Sequence, residues 1–419
     1  MPALIAPRLL NWFEPIFGKL KLDYEDFVVE EIPAYDFAGD GTHVYFLLEK
    51  RGLSTFQAIA DLAQKLDVRR FQIGFAGMKD SRAVTRQWLS LEHIDPAKIE
   101  AIDLPRIRIV ETTRHRNKLK IGHLHGNRFM IRIRDTDVSR LPDLKKALAE
   151  LSQRGVPNYF GEQRFGTRGD SWRVGAAMLK GDLSAALDWV LGNPSPSDEG
   201  EIAKAREMYH KGDYERAIRH WPNMFRDERR ALKTLAGKGN KKRAFLAIDD
   251  NLRRFYVSAY QSYMFNELVA ERITAQRWRI ENGDLAWLHR GGSVFRVEDE
   301  TVEQPRFETL EISPSGPLFG YRMTEVGGTS AAIEQAILAR EQLTLESFRE
   351  NHLRVKGGRR PLRFPITDTS VALGGDGRGS FLELRFALPA GCYATSLLRE
   401  LMHDASAGTE TDAADEDDE

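Results

Sequence analysis

The chain is 419 residues long, with 42% hydrophobic and 29% charged residues, the composition of a globular protein with two or three folded units. No apolar run reaches the roughly 18 residues that a transmembrane helix needs, and the N-terminus lacks the pattern of a signal peptide. We therefore expect a cytoplasmic protein with no membrane contact. The single cysteine, Cys392, excludes an internal disulfide and a zinc site built on cysteines.

The formal net charge of −1 is unevenly distributed along the chain. Residues 404–419 contain eight acidic side chains, no basic ones and almost no apolar ones, which predicts a disordered, solvated acidic tail. An alternative role for such a tail is to compete with nucleic acid for a basic surface. The rest of the chain is basic, with a net charge of +7.

Strands and one helix are predicted in the first third of the chain. Residues 44–48 and 71–76 are short apolar runs, and residues 55–66 between them have helical spacing. Further strands are predicted at 106–110, 118–122 and 127–134. In the last of these, apolar residues alternate with arginines, which gives one apolar and one basic face.

From about Asp182 the pattern becomes helical. The helical segments are residues 183–191, 202–221, 226–236, 252–273 and 330–350, and strand-like pieces occur at 286–288 and 293–297. The last folded piece is a strand at 380–386 followed by a helix at 393–402. These elements predict an α/β or α+β protein with a helix-rich middle.

Basic residues form two clusters. Residues 105–134 contain nine Arg or Lys and one acid, on strand-like segments with Phe129 nearby. Residues 204–243 contain thirteen Arg or Lys against five acids, on segments with helical spacing. Such clusters fit contacts with phosphates, and the strand cluster is the better candidate for an RNA-facing surface. For the helical cluster, a merely solvated charged face is the alternative interpretation.

Several further motifs do not fit a functional site. The glycine-rich segments at 237–242 and 374–379 lack the spacing of nucleotide-binding loops. His123 and His125 could share one side of a strand, but a third ligand is missing, so we expect no metal. Cys392 has no evident base beside it in the sequence, which argues against a catalytic thiol.

One candidate for chemistry is the segment GFAGMKDSRAVTRQWLSL at residues 74–91. A short apolar strand leads to Gly77, a turn carries Lys79 and Asp80, and a strand resumes at Thr85. Asp80 therefore lies at a strand end, where a side chain is firmly held yet reachable. On local grounds alone, an aspartate in such a turn also fits a backbone-capping role.

A second dense segment is VPNYFGEQRFGTRG at residues 156–169. Aromatic side chains lie here next to amide and guanidinium donors, and two glycines permit tight turns. A pocket for an extruded base needs such a stacking face and such edge contacts. Aromatic residues that enter a core beside a loop are the alternative interpretation.

At these two segments the sequence resembles a known family, the TruD pseudouridine synthases. GFAGMKDSRAVTRQ and NYFGEQRFG are similar to the two signatures of that family. The resemblance covers most of the chain and includes further segments in the family's order: DFVVEE after Lys21, NKLKIGHLHGNRF, AYQSYMFN, SPSGPLFG and LPAGCYATSLLREL.

The resemblance implies a cofactor-independent enzyme that isomerises uridine to pseudouridine in tRNA. Asp80 matches the catalytic carboxylate, which either attacks C1′ of the ribose or removes a proton from C2′. Phe160 matches the aromatic that stacks on the target base, and Asn158 a polar residue of that pocket that helps to hold Asp80. Lys21, rather than Lys79, is the expected direct partner of Asp80, and Lys79 is expected to contact phosphate. The remaining expected substrate-binding residues are Gln87 and Arg164.

The resemblance also implies an architecture: an α+β catalytic domain with a mixed, largely antiparallel sheet, and an inserted α/β TRUD domain, arranged as a V. The catalytic domain would comprise residues 1–183 and 351–403, and the insertion residues 184–350. The expected substrate is uridine 13 in the D-arm of tRNA, with no cofactor, no metal and no obligate protein partner. The alternatives are a non-catalytic RNA-binding protein and a pseudouridine synthase acting on other RNAs.

Overall fold

The computed structural model describes residues 7–196, 198–350 and 353–403. The acidic tail expected at residues 404–419 lies outside the described residues. The chain divides into two compact units. The sheet unit consists of Arg8–Pro157 and residues 364–403, and the helical unit consists of Asn158–Arg363 and Pro7. The insertion expected at residues 184–350 falls within the helical unit.

The strands of the described residues are, in chain order, β1 (Phe27–Pro33), β2 (His43–Arg51), β3 (Gly74–Phe75), β4 (Val84–Glu92), β5 (Ile107–His115), β6 (Leu124–Arg134), β7 (Val156–Pro157), β8 (Leu285–Leu288), β9 (Val294–Arg296), β10 (Ile312–Leu318), β11 (Gly358–Pro361), β12 (Arg363–Phe364), β13 (Thr367–Asp376) and β14 (Gly379–Pro389).

The α-helices of the same residues are α1 (Thr55–Leu66), α2 (Pro96–Glu100), α3 (Leu141–Arg154), α4 (Ser171–Leu179), α5 (Leu183–Leu191), α6 (Gly200–His210), α7 (Tyr214–His220), α8 (Arg226–Lys238), α9 (Lys241–Leu246), α10 (Asp250–Thr274), α11 (Glu300–Glu308), α12 (Gly328–Arg340), α13 (Ser347–Glu350) and α14 (Ala394–Leu401). None of the helices in the described ranges is long and apolar enough to cross a bilayer.

A single large sheet forms the centre of the sheet unit. Its strand order is β13-β14-β6-β1-β4-β2-β5, and β3 pairs with β4. The β1–β4 pair is parallel, whereas the other neighbours are antiparallel. The predicted α+β class with a mixed, largely antiparallel sheet is therefore confirmed.

Helix α1 packs on this sheet and has the bounds that its apolar spacing predicts. Ser54 caps its start by accepting a hydrogen bond from Gln57 N, the usual role of serine at this position. Ile59 and Leu62 on its inner face belong to one hydrophobic core with sheet residues that include Phe46. This packing fixes the start of α1, which matters for the site described below.

The helical unit is organised around α10, a helix of 25 residues. Tyr260, Met264 and Phe265 on this helix are buried in the main core of the unit. A small antiparallel sheet with the order β11-β10-β8-β9 completes the unit. The predicted helix-rich middle of the chain is present.

Four predicted elements differ from the structure. The strand predicted at 71–76 is reduced to β3, which follows a 3₁₀ turn at Arg70–Gln72. Residues 118–122 are not a strand, because Leu119 N donates to Ser90 Oγ at 3.0 Å and Gly122 N to Ala76 O at 2.8 Å, outside a strand ladder. The helix predicted at 202–221 is divided into α6 and α7 at Gly212, whose φ of 78° is favourable for glycine. The helix predicted at 330–350 is divided into α12 and α13, with Gln342 between them at a φ of 57°.

Candidate active site

The strand pairing brings residues from distant parts of the chain to one edge of the sheet. Because β1 and β4 are parallel, both strands start at this edge, and the segments that precede them end there. Lys21 precedes β1 and Asp80 precedes β4. The antiparallel partner β2 ends at the same edge, where Lys50 pairs with Thr85 of β4. Three charged side chains are therefore placed together by topology.

The backbone of the turn that carries Asp80 is fixed by Lys50. This lysine is fully buried. Its ammonium group donates hydrogen bonds to the carbonyl oxygens of Asp80 at 2.9 Å, Lys79 at 3.3 Å and Leu53 at 2.5 Å. A buried charge that serves several carbonyls in this way holds them firmly, because each would otherwise lack a partner.

Lys79 and Gln87 also hold the turn in place. Lys79 Nζ lies 2.6 Å from Glu31 Oε2, and both side chains are almost completely buried. Burial raises the pKa of Glu31, an effect that the neighbouring Lys79 ammonium opposes. Lys79 N donates to Thr55 Oγ1 at 3.0 Å, and Thr55 in turn donates to Gln87 Oε1 at 2.9 Å. The first residue of α1 is thus bonded to both the turn and β4.

Lys21 contacts the carboxylate of Asp80 itself. Its Nζ lies 3.3 Å from Asp80 Oδ1, and the Lys21 side chain is 8% exposed whereas that of Asp80 is 32% exposed. The same ammonium group lies 4.3 Å from the centroid of the Phe27 ring. A nearly buried cation therefore orients a carboxylate that remains reachable from solvent.

In the helical unit, Asn158 is held by two neighbours. Its Nδ2 donates to Pro361 O at 2.8 Å, and its Oδ1 accepts from Arg360 at 2.5 Å. The side chain is buried, so these bonds satisfy both ends of the amide. Asn158 thereby positions the guanidinium of Arg360.

Arg360 covers the ring of Phe160. The guanidinium carbon lies 4.3 Å from the ring centroid, and Phe265 meets the same ring edge-on at 5.5 Å. The backbone of Phe160 is bound on both sides by Asn266, which donates to its carbonyl at 3.0 Å and accepts from its N–H at 2.8 Å. The Phe160 ring is therefore held in one orientation.

Arg164 lies beside this aromatic cluster. Its guanidinium donates to Ser262 at 3.2 Å and also to Ser258, both on α10. It lies 5.7 Å from the Phe160 centroid. The structure thus brings Asn158, Phe160 and Arg164 together in the helical unit, and Lys21, Lys79, Asp80 and Gln87 together in the sheet unit.

Several residues of these two clusters are not among the predicted site residues: Lys50, Thr55, Glu31, Arg360 and Asn266. Two of them, Glu31 and Asn266, lie in segments of the family resemblance, DFVVEE and AYQSYMFN, and that resemblance is the signal that could have found them. Lys50 reaches the Asp80 turn because β2 pairs with β4, and Arg360 reaches Asn158 from a distant part of the chain. Local spacing in the sequence predicts neither contact.

Five of the nine basic residues of the strand cluster are in ion pairs. Carboxylates from neighbouring strands and turns pair with its arginines at 2.7 to 3.3 Å: Glu49 with Arg108, Asp40 with Arg116, Glu30 with Arg128, Glu383 with Arg132 and Asp26 with Arg134. These five arginines are thus held in ion pairs within the fold, whereas Arg106, Arg114, Lys118 and Lys120 have no ion pair with the described residues.

Comparison with known proteins identifies the family to which a chain with these two clusters of residues belongs. The chain matches the family described as tRNA pseudouridine synthase D (TruD) over residues 9–401. The tRNA pseudouridine synthase D of Geobacter metallireducens is 45% identical over 387 residues, 92% of this chain and 95% of the relative. That of an Anaeromyxobacter species is 35% identical over 401 residues, 96% of each chain.

A solved structure leads to the same result. The crystal structure assigned to TruD from Methanosarcina mazei superposes with a TM-score of 0.85 and 29% identity, covering 94% of this chain and 95% of that one. The fold and the sequence relatives together define an enzyme of the pseudouridine synthase class. The chain belongs to the tRNA pseudouridine synthase D (TruD) family.

Proposed function

We propose that this protein converts uridine 13 in the D-arm of tRNA to pseudouridine, with Asp80 as the catalytic carboxylate. The observation that carries the proposal is the pairing of a reachable carboxylate with a rigid, buried support. Asp80 is about one-third exposed, whereas Lys50 and Lys79, which fix its turn, are buried. Placement of this kind is what a reaction with one protein carboxylate requires.

The isomerisation needs few chemical groups from the protein. The bond between N1 and C1′ breaks, the uracil turns, and a bond between C5 and C1′ forms while C5 loses a proton and N1 gains one. On one route Asp80 attacks C1′, uracil leaves as an anion, and C5 displaces the carboxylate from C1′. On the other route Asp80 removes a proton from C2′ to give a glycal, and the proton returns after C5 has joined C1′.

The neighbours of Asp80 have distinct parts in this proposal. Lys21 orients the carboxylate through its contact at 3.3 Å. Lys79 and Gln87 are positioning residues rather than substrate contacts, because both side chains are buried and bonded to Glu31 and Thr55. The exposed atoms of the turn that carries Asp80 then remain available to contact the ribose of the target uridine.

The base is proposed to stack on Phe160. A half-buried ring that is fixed by Asn266 and covered by Arg360 is a suitable platform, since stacking on an ordered aromatic contributes about 1–3 kcal/mol per base. Arg164 is placed near the same ring and supplies a donor for the base or a phosphate. Asn158 acts by holding Arg360 in place.

The target is tested by mapping pseudouridine in the total tRNA and other RNA of cells with and without this gene. We expect loss of pseudouridine at position 13 of a subset of tRNAs and nowhere else. A map in which position 13 is unchanged and sites in another RNA disappear would reject tRNA position 13 as the target and support the alternative of a synthase for other RNAs.

A further inference from the structure

A basic face remains unpaired on three consecutive helices of the helical unit. α7, α8 and α9 together carry ten Arg or Lys residues and three carboxylates, Glu215, Asp227 and Glu228. This is the part of the chain for which sequence analysis leaves a merely solvated face as the alternative interpretation.

Some of these ten cations are used within the fold. Arg216 pairs with Asp213, Arg230 with Asp227 and Lys241 with Asp188, and Arg229 donates to the carbonyl oxygens of Ile218 and Trp221. Five others are exposed and have no ion pair with any residue in the described ranges: Arg219, Arg226, Lys233, Lys242 and Arg243. In the strand cluster, the five arginines that pair with carboxylates are likewise compensated within the fold.

The unpaired cations on α8 lie on one side of that helix. Ala231, Leu232 and Leu235 are buried and define its inner face. Arg226 and Lys233 are seven residues apart, about two turns, and therefore project from the opposite face. Arg230 lies between them and donates a hydrogen bond to Ala247 O, just after α9. This bond connects the outer face of α8 to α9, the helix that carries Lys242 and Arg243.

Three acids on or next to these helices have other partners. Asp227 is occupied by Arg230. Asp249 and Asp250, which follow α9, are occupied as the N-cap of α10 and by Arg253. Clustered cations repel one another and lower stability unless an anionic partner compensates them, so their retention at one surface favours such a partner.

We propose that the outer face of α7, α8 and α9 binds the phosphate backbone of the RNA substrate. Its ligand is a run of phosphates rather than particular bases, because the side chains are long, flexible cations and no aromatic platform is needed. The proposal depends on the proposed function only in taking tRNA as the RNA. It assigns electrostatic tRNA affinity to this helical face and not to the arginines of the strand cluster that are paired with carboxylates.

The test is the salt dependence of tRNA binding by the full chain carrying Asp80→Asn, so that no product forms. Affinity is measured by fluorescence anisotropy between about 50 and 200 mM salt, the range in which phosphate contacts are resolved. The triple variant Arg226→Gln/Lys233→Gln/Arg243→Gln is expected to lower the slope of log affinity against log salt by about 3, or about 1 per cation. Arg226→Lys/Arg243→Lys retains the charges and is expected to keep the original slope.

A matched control uses exposed arginines that are already paired. Arg108→Gln/Arg116→Gln/Arg385→Gln removes three cations bonded to Glu49, Asp40 and Glu383, and its slope is expected to change by less than 1. Equal slopes for the helical variant and the parent would overturn the proposal and leave this face to an acidic protein or to solvent. So would an equal decrease in the control. Failure of the proposed function is a separate result, because it appears as an absence of pseudouridine in wild-type assays while binding persists.

Discussion

Lys50 donates a 2.9 Å hydrogen bond from its buried ammonium group to the backbone carbonyl of Asp80, thirty residues further along the chain. The contact fixes the main chain and does not occupy the Asp80 carboxylate, which Lys21 contacts. A second bond at 3.3 Å to the carbonyl of Lys79 prevents rotation of the peptide before Asp80. The backbone position of Asp80, the proposed catalytic residue, is thus fixed by a residue to which the proposal gives no chemical role.

Lys50→Met is expected to reduce both stability and activity. The change removes the charge and leaves buried carbonyl oxygens without their donor, which lowers the free energy of unfolding by about 3 kcal/mol. Because the turn is then displaced, kcat is expected to decrease by about 100-fold. Chemical denaturation and single-turnover kinetics measure the two effects, and Lys65→Met, at an exposed lysine of α1, is the control. Unchanged kcat in folded Lys50→Met would show that the turn does not depend on this bond.

Lys21→Met is expected to act mainly on kcat. Loss of a charge-assisted hydrogen bond to Asp80 is worth about 2 kcal/mol, or roughly 30-fold in rate, whereas KM for tRNA changes little because Lys21 is buried. Lys19→Met is the matched control, since Lys19 is an exposed lysine two residues away that pairs with Asp135. An increase in KM with unchanged kcat would instead assign Lys21 to RNA binding.

Phe160→Ala is expected to lower kcat/KM by about 30-fold, the effect of losing one stacking contact of about 2 kcal/mol. Phe160→Tyr keeps an aromatic face and is expected to retain most of the activity. Thermal unfolding of both variants separates this effect from loss of packing on Phe265. Equal activities for the Ala and Tyr variants would remove Phe160 from the base-binding site.

His289 predicts a pH dependence of stability in the helical unit. Burial, with a smaller contribution from the nearby Arg363, lowers the pKa of His289 to about 4 from 6.5. The folded state therefore disfavours the proton that the unfolded chain accepts. Stability from this residue is complete above about pH 6.5 and is lost as the pH falls towards 4, by on the order of 3 kcal/mol.

The measurement is the difference in unfolding free energy between wild type and His289→Asn across this pH range, with His125→Asn at an exposed position as the control. As the pH falls, wild type and His125→Asn are expected to lose the part of the unfolding free energy that depends on His289. His289→Asn is expected not to show this loss. Parallel pH profiles for all three proteins would contradict the assignment.

Sequence reasoning predicts some elements well for physical reasons that are local. The bounds of α1 follow from its apolar spacing and from Ser54 as the capping residue. Local reasoning fails where the partner is distant in sequence. The partners of Arg108 on β5 and Arg132 on β6 are acids that are distant in the sequence, Glu49 on β2 and Glu383 on β14.

The candidate site likewise contains residues that the sequence predicts and residues that it does not. The resemblance to TruD synthases supplies Asp80 and Phe160, but Lys50 reaches Asp80 only because β2 is antiparallel to β4. Arg360 reaches Asn158 across 202 residues of chain, which no spacing rule predicts. The residues that hold the reacting groups in place are therefore visible only in the folded protein.

The most direct test of the account is the formation of pseudouridine by purified protein. Wild type, Asp80→Asn and the control Asp23→Asn are incubated with unmodified tRNA transcript, and pseudouridine is quantified by mass spectrometry after derivatisation. The account predicts one pseudouridine per tRNA with wild type and Asp23→Asn, and none with Asp80→Asn although that variant still binds tRNA. Pseudouridine formed by Asp80→Asn at the wild-type rate would contradict the role of Asp80 as the catalytic carboxylate.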